Sequence, residues 1–484
     1  MIPSRLRSAG GRRLGLAALA ALVVAGAAAC RLAAGPGAEQ GQVWVGYGRD
    51  QPQVAIRFWY VQRGARAQAA VEREAAAFHR AHPNVRVRAV PLQADTALAR
   101  IRAAAAGGAA PDASELDTTW VPELTWAGAL KPLSPAEVAG AGGRPEFVQA
   151  ALGSTGPISS PTMTALPWFV DVPAVYYRAD ALRDLGIDPG QAFASWDSLE
   201  ATLARLRAAG LTALGIPGRG EAGLVRDVAP WAWGAGGDLV AEDGSAPAIA
   251  SDASVEGVDR YQGLVAAFAD RAALREGPAE VEAGFAAGRY AVTFAGPSLA
   301  ARLLLPAAEG GLAGEPAAVA GFGTAPLPAG PRARVVPVSG GDLAIWRRSP
   351  HQGAAYEWMR WLTAAPAQLD YAGASGSLPV RADLGAGPGR AGDPRLRAFV
   401  SELDAGRTYP AVPEWATIQA ALAARLATVW DAIAQTGVPL PGARLRELLG
   451  AASDEIGAAI RQAARTPLSF ACTTAELGPA AADG

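Results

Sequence analysis

The chain has 484 residues, half of them hydrophobic, with 43 basic and 45 acidic side chains and a formal charge of −2. That length suits two domains or one elaborate one. A near-neutral chain argues against nucleic acid as the main partner. Two Cys (Cys30, Cys472) and three scattered His (His79, His82, His351) argue against a disulfide framework and a metal site, and no cofactor is expected.

Arg5, Arg7, Arg12 and Arg13 precede an uncharged apolar run, Leu14 to Ala29, too short to span a bilayer comfortably. A basic start, a short apolar run and small residues read as an export signal over residues 1–29. Cys30 directly after Ala27-Ala28-Ala29 resembles the lipobox of bacterial lipoproteins, although such boxes usually carry Leu, Val or Ile where Ala27 stands. The resemblance implies lipidation of Cys30 and a membrane-anchored chain; the alternative is an ordinary signal with a chance Cys. Loss of residues 1–29 leaves 39 basic against 45 acidic side chains, a charge near −6. Arg31 to Gln53, rich in Gly, Ala, Pro and Gln, reads as a flexible tether, so residues 30–53 form anchor and tether.

Ordered structure is expected from Val54. Val54 to Tyr60 reads as a strand with Ile56 and Phe58 on one face. Arg66 to Ala81 reads as a helix with Val71, Ala75 and Phe78 on one stripe, stopped by Pro83. Val85, Val87 and Ala89 alternate with Arg86 and Arg88 as a half-buried strand. Asp95 to Ala106 is a second helix, ended by Gly107-Gly108, and Ala113 to Leu116 is a third strand. This alternation predicts an α/β layer with right-handed crossovers. Ser195 is the expected N-cap of a helix from Trp196 to Ala209, ended by Gly210. Gly310 to Pro316 and Gly385 to Asp393 read as surface loops. Ile418, Leu422, Leu426, Val429 and Ile433, then Leu445, Leu448, Leu449, Ile456 and Ile460, predict a helical C-terminal third.

Asp117, Thr119 and Trp120 follow the third strand, at the carboxyl end where open α/β sheets place ligands; the plainer reading is that Asp117 or Thr118 caps the next helix. Asp171 stands in a run otherwise apolar from Leu166 to Val175, and a carboxylate there needs a partner. Trp59 divides between ligand contact and core. Trp415, after Pro410 and Pro413, opens the long helix and is a stacking candidate. Gly340-Gly341-Asp342 offers backbone N–H groups at Gly341 and a carboxylate at Asp342, or a plain turn. Trp358, Trp361, Trp196 and Trp430 read as packing residues.

Several segments in order resemble the extracellular solute-binding proteins of bacterial ABC importers, in the cluster that binds maltose, trehalose and other carbohydrates. They are Ile56 to Trp59 with the helix ending near Val85, Pro111 to Leu133, Leu166 to Leu182, Gly288 to Pro297, Val338 to Ser349, and Gly376 to Arg381. The resemblance implies a two-lobed periplasmic-binding-protein-like α/β fold, with the ligand between discontinuous lobes and closure by hinge motion. It places the lobes at 54–165 plus 291–344 and at 166–290 plus 345–470, with a tail at 471–484. Crossings are then expected near Leu166 to Val172, Tyr290 to Gly296 and Ala344 to Arg347. It makes Asp171 an acidic ligand position and puts Glu221 and Trp231 near the cleft. Where the family commonly has a stacking Trp after Gly296-Pro297, this chain has Ser298, which bears on the substrate.

The implied protein is an extracytoplasmic, lipid-anchored monomer without chemistry of its own, which captures a di- or oligosaccharide and delivers it to an ABC permease. The same fold could instead take a glycerol phosphodiester, a polyamine or another small polar solute. A secreted glycoside hydrolase is the enzyme alternative; it would need two carboxylates flanking the bond, and Glu115, Asp117, Asp171 and Glu221 are available.

Overall fold

The computed structural model describes residues 51–465 except 108, 159 and 386–393. The expected signal, Cys30, most of the tether, most of the loop at 385–393, Cys472 and the tail at 471–484 lie outside the described residues. In chain order the first elements are β1 (Val54–Val61), α1 (Ala65–Ala81), β2 (Val85–Leu92), α2 (Ala97–Gly107), β3 (Ala113–Asp117) and α3 (Val121–Trp126). Then come β4 (Ala165–Asp171), β5 (Ala174–Arg178), α4 (Trp196–Ala208), β6 (Leu214–Gly215), α5 (Glu221–Gly234) and α6 (Asp252–Phe268). They are followed by β7 (Val292–Ala295), α7 (Pro297–Leu304), β8 (Phe322–Ala325), β9 (Val336–Pro337) and β10 (Ser339–Ile345). The remaining principal elements are α8 (Gln352–Leu362), α9 (Ala365–Ser375), β11 (Leu378–Pro379), α10 (Pro394–Glu402), β12 (Gly406–Arg407), α11 (Trp415–Thr436) and α12 (Gly442–Arg465).

Six strands form a first sheet in the order β11-β4-β10-β3-β1-β2, and four form a second in the order β6-β7-β5-β8. β1 runs parallel to β2 and β3, as the strand–helix alternation predicts. β10 is antiparallel and inserts between β3 and β4. The carboxyl ends of β1, β3 and β4 therefore meet the amino end of β10 at one rim of the sheet.

Strand alternation explains why the first sheet is covered on both faces. Phe58 and Tyr60 point to one face, where Phe58 meets Trp358 and Trp168 edge-on at 5.7 and 6.2 Å. Phe78 of α1 closes on Trp358 at 5.3 Å. Trp59 and Val61 point to the other face and pack with Ile101 of α2, Leu116, Leu124 and Trp346. In the second half of the molecule Trp196, Trp231, Tyr261 and Trp430 share one core with the inner stripes of α11 and α12. The residues expected on those stripes are buried from Ile418 to Ile456, and Ile460 is partly buried.

The strand pairing groups the chain differently from the expected lobe boundaries. β4 lies in the first sheet, and only Val172 and Pro173 separate it from β5 in the second. β7 hydrogen-bonds to β5 and β6, so Tyr290 to Gly296 is not a crossing; the chain returns to the first sheet at β9–β10. β11 pairs with β4, and α8 and α9 pack on the first sheet, so residues 345–379 belong with it. A buried run of four residues such as Val292–Ala295 fits either sheet equally well, and only long-range pairing decides.

Trp358 is fully buried, while its indole Nε1 lacks a hydrogen-bond partner. Trp358→Ala should lower stability by about 3–5 kcal/mol. Trp358→Phe should cost less, because no hydrogen bond is lost. Urea midpoints of the three proteins test this, and an unchanged Ala variant would remove the ring from the core.

Candidate functional site

The rim of the first sheet carries an unusual density of carboxylates. Glu115, central in β3, is completely buried; one oxygen accepts from Val61 N at 2.5 Å and the other pairs with Arg63 at 3.0 Å. Arg63 follows β1 by two residues and lies over the Phe169 ring of β4 at 4.6 Å. Room for that ring comes from Gly341: a Cβ there would sit 2.4 Å from Phe169 and 2.9 Å from Glu115. The neighbouring Gly340 has φ +155 and its own close approach to Phe169 O, so the pair forms the bulged start of β10.

Asp117 ends β3 half-buried. Its Oδ1 accepts from Thr119 N at 2.9 Å and Thr119 Oγ1 at 2.7 Å, closing a side-chain turn that orients Thr119 and Trp120. It makes no side-chain cap on α3, whose N-cap is Trp120. Asp342 is buried beside it and accepts from Ser154 Oγ at 2.8 Å. Burial pushes its pKa well up; the Ser154 hydrogen bond opposes this, and the nearby Asp117 and Glu115 add to it.

Asp171 ends β4 where the chain changes sheets. Burial raises its pKa, while Arg226 of α5 and then Arg63 pull it down. The carboxylate thus feels one guanidinium from each half of the molecule, without a direct ion pair to either among the described residues. Gly296, at the start of α7, leaves it space: a Cβ there would lie 2.3 Å from Asp171 Oδ1. Arg226 donates to Asp227 Oδ1 at 2.9 Å, whereas Asp227 Oδ2 is buried without a hydrogen-bond partner among the described residues. Tyr409 completes the group. Its hydroxyl is likewise buried and unpartnered among the described residues, and it feels Arg226, Asp227 and, from the first sheet, Asp117.

Asp117, Thr119, Trp120, Asp171, Gly341 and Asp342 thus gather around one rim. Asp342 and Gly341 lie beneath it as buried support. Three predicted Trp residues are packing residues instead. Trp231 is held between Trp196 at 4.8 Å and Tyr261 at 4.6 Å, so both its faces are covered. Trp59 lies in the first-sheet core with Arg100 over its ring at 4.7 Å. Trp415 is 1% exposed and stacks on Tyr409 at 4.4 Å, which makes Tyr409 the outer ring of that pair. Glu221 opens α5, and its side chain lies outside the described residues. Ser298 packs its backbone against the turn at Gly376, where a Cβ would lie 2.8 Å from Ser298 Cα. Sequence reasoning missed Arg63, Phe169, Arg226 and Tyr409. Arg63 was findable, because it follows a strand's carboxyl end by the same rule that selected Asp117.

Residues 61–369 match the family model described as bacterial extracellular solute-binding protein. A probable ABC transporter-binding protein of Deinococcus radiodurans is 28% identical over 215 residues, 43% of this chain and 48% of the relative. The match therefore spans about half the length of that curated relative. Among solved structures the chain is similar to the GacH receptor of Streptomyces glaucescens, solved unliganded and with acarbose (22% identity, 87% of this chain and 100% of that one, TM-score 0.67). It is also similar to the sugar-binding protein MalE of Xanthomonas citri (22%, 85% and 99%, TM-score 0.70). A third is UgpB of Mycobacterium tuberculosis in complex with glycerophosphocholine (19%, 85% and 99%, TM-score 0.68). These likenesses show the two-lobed α/β fold that the sequence resemblance implies.

A further carboxylate ties the crossing segment down. Glu402 of α10 is fully buried, accepts from Leu327 N, and lies 3.8 Å from Arg334 in the connection between β8 and β9. Burial, opposed by the Leu327 hydrogen bond and by Arg334, pushes its pKa from 4.5 up to about 7. A folded-state pKa above the unfolded one favours the protonated fold. Its stabilisation is complete below about pH 4.5 and is lost as the pH rises through about 7. Urea unfolding from about pH 5 to about pH 8 should show stability falling, and Glu402→Gln should flatten that fall. An identical slope in parent and variant would exclude Glu402 as its source.

Proposed function

The chain belongs to the bacterial extracellular solute-binding protein family, and from that premise we propose that it captures a carbohydrate for an ABC importer. The observation that carries this reading is that Asp171 and Asp117, at two strand ends of one sheet, lie within electrostatic reach of Arg226 and Tyr409 of the other half, with no hydrogen bond or ion pair between them among the described residues. Carboxylates accept hydrogen bonds from sugar hydroxyls, and a guanidinium or a phenol donates to ring and hydroxyl oxygens. The sugar-bound neighbours support the same ligand class. In this reading residues 54–171 with 339–379 form one lobe and most of the rest the other. The ligand closes them by bridging Asp117 and Arg226.

The protein then acts outside the cytoplasm as a monomer, held at the membrane through Cys30, and passes its ligand to a permease without turnover. A glycerol phosphodiester is the second reading. Arg63 and Arg226 favour it, as does the neighbour bound to glycerophosphocholine. Each guanidinium already has a carboxylate partner, however, which favours the neutral polyol.

Titration calorimetry against mono-, di- and trisaccharides and glycerol phosphodiesters tests both. One sugar class should bind stoichiometrically, with no products formed. Asp171→Asn should weaken it by about tenfold or more, the size of a lost hydrogen bond to a charged group. Trp231→Phe should leave affinity nearly unchanged. Unaltered binding in a folded Asp171→Asn protein would move the site elsewhere.

A further inference from the structure

The amino-terminal end of the first sheet, opposite the carboxylate rim, is a basic corner. On β1 and β2 the residues Ala55, Arg57, Arg86 and Arg88 point to the face that α2 covers further along, and all four are exposed. Register places Arg57 beside Arg88 and Ala55 beside Arg86. Arg57 also lines a cavity of about 640 Å³ together with Arg347, Arg348, Ser349 and His351. Arg347 and Arg348 are exposed as well.

None of these five Arg forms an ion pair among the described residues. Arg57 donates to Ala110 O at 2.6 Å and Arg347 to Leu130 O at 3.3 Å, both neutral acceptors. The carboxylate lining the cavity, Asp112, is 6% exposed and already accepts from Arg57 N at 2.7 Å and Ser349 Oγ at 2.6 Å. A chain with more acids than bases thus concentrates unpaired positive charge at one corner. It does so where the fifty residues preceding Gln51 join the sheet.

We propose that this corner rests on anionic phospholipid headgroups of the membrane that holds the chain; this builds on the anchoring read for residues 1–53. Two observations favour lipid over other polyanions. The charges lie beside the start of β1, so in the anchoring reading this corner can meet the headgroups over a shorter reach of tether than the rim at the opposite end of the strands. The groove between them is floored by Ala55, Ala104, Ala105 and Ala110, and of its two rings Trp346 is buried and His351 half-buried, so it presents no row of open ring faces on which bases could stack. Basic side chains close to an anionic surface each add to binding, and the effect is screened by salt. Resting on this corner would leave the rim at the other end of β1 and β3 turned away from the membrane and open to solute.

Amide hydrogen exchange on the full chain tests this with vesicles of phosphatidylcholine alone or mixed with phosphatidylglycerol. Segments 85–90 and 346–351 should exchange more slowly on the anionic vesicles only, and about half-molar salt should remove the difference. Arg86→Gln, Arg88→Gln, Arg347→Gln and Arg348→Gln combined should abolish that protection and lower the anionic preference by about tenfold or more. Sugar binding should stay unchanged. Equal exchange on both vesicles, or protection that survives in the variant, overturns the proposal. Concentration-dependent protection without lipid would point to a second copy and overturn it too. Failure of the anchor reading looks different: the parent chain would stay free of neutral vesicles while still preferring anionic ones.

Discussion

The wholly buried Glu115 and its pairing with Arg63 are the constraint on which the carboxylate rim of the first sheet depends. A carboxylate removed from water is costly unless it is paired and hydrogen-bonded. Glu115 meets that need with the Val61 amide and the Arg63 guanidinium. The arrangement fixes the loop after β1, and Arg63 in turn covers Phe169 and approaches Asp171. Loss of this pair would release the ends of β1, β3 and β4 together. Around it lie Asp117, Asp171, Asp227 and Asp342, with Arg63 and Arg226 as neighbouring cations among the described residues. Burial works against the charged form of Asp171, Asp227 and Asp342 alike. A solute that donates hydroxyl hydrogen bonds to them would offset that cost.

The aromatic side chains follow a different logic. Thirteen Trp in the sequence invite a reading of stacked sugar faces, yet Trp231, Trp415 and Trp233 have ring faces covered, which leaves Trp120 as a half-buried indole at the rim. Tyr261 and Trp196 enclose Trp231, Tyr409 covers Trp415, and Arg407 lies over Trp233 at 4.9 Å. The absence of Trp at Ser298 fits this pattern, because α7 there abuts the Gly376 turn. The half-buried rings at the rim are Trp120 and Tyr409, and the Tyr409 hydroxyl has no hydrogen-bond partner among the described residues. In the proposed reading, recognition would lean on polar edges more than on ring faces.

How much was legible in the sequence depends on the range of the interaction that decides each feature. The opening strand–helix alternation and the stripes of α11 and α12 are local patterns, and they fold as read. The rule that ligands gather at strand carboxyl ends selected Asp117, and a break in an apolar run selected Asp171. Sheet membership was not legible. β7 is four residues long, β9 and β11 two each, and β10 enters the first sheet antiparallel from far along the chain. Such short runs carry no periodicity, so their place is set by partners far along the chain. Arg226 and Tyr409 were missed for the same reason. Nothing within their own segments marks them; their significance comes from Asp171 and Asp117, which approach from the other sheet.

Asp171 joins these two levels. It is the last residue of a first-sheet strand, and two residues later the chain has entered the second sheet. Any rotation of one lobe against the other turns the backbone at this carboxylate. Its two cationic neighbours sit on opposite sides of that turn, Arg63 following β1 and Arg226 in α5. Opening the lobes would separate the carboxylate from one of them and expose it to water, which hydrates the charge. Closing would remove that water and leave the carboxylate dependent on Arg63, Arg226 and whatever the ligand donates. A bound hydroxyl at Asp171 therefore contributes most in the closed state, where solvent competes least. Differential affinity of this kind is what a hinge requires, because a ligand shifts the equilibrium only by as much as it prefers one state. In the proposed reading, an acidic ligand contact on the crossing segment itself would couple ligand occupancy to lobe closure without any separate relay.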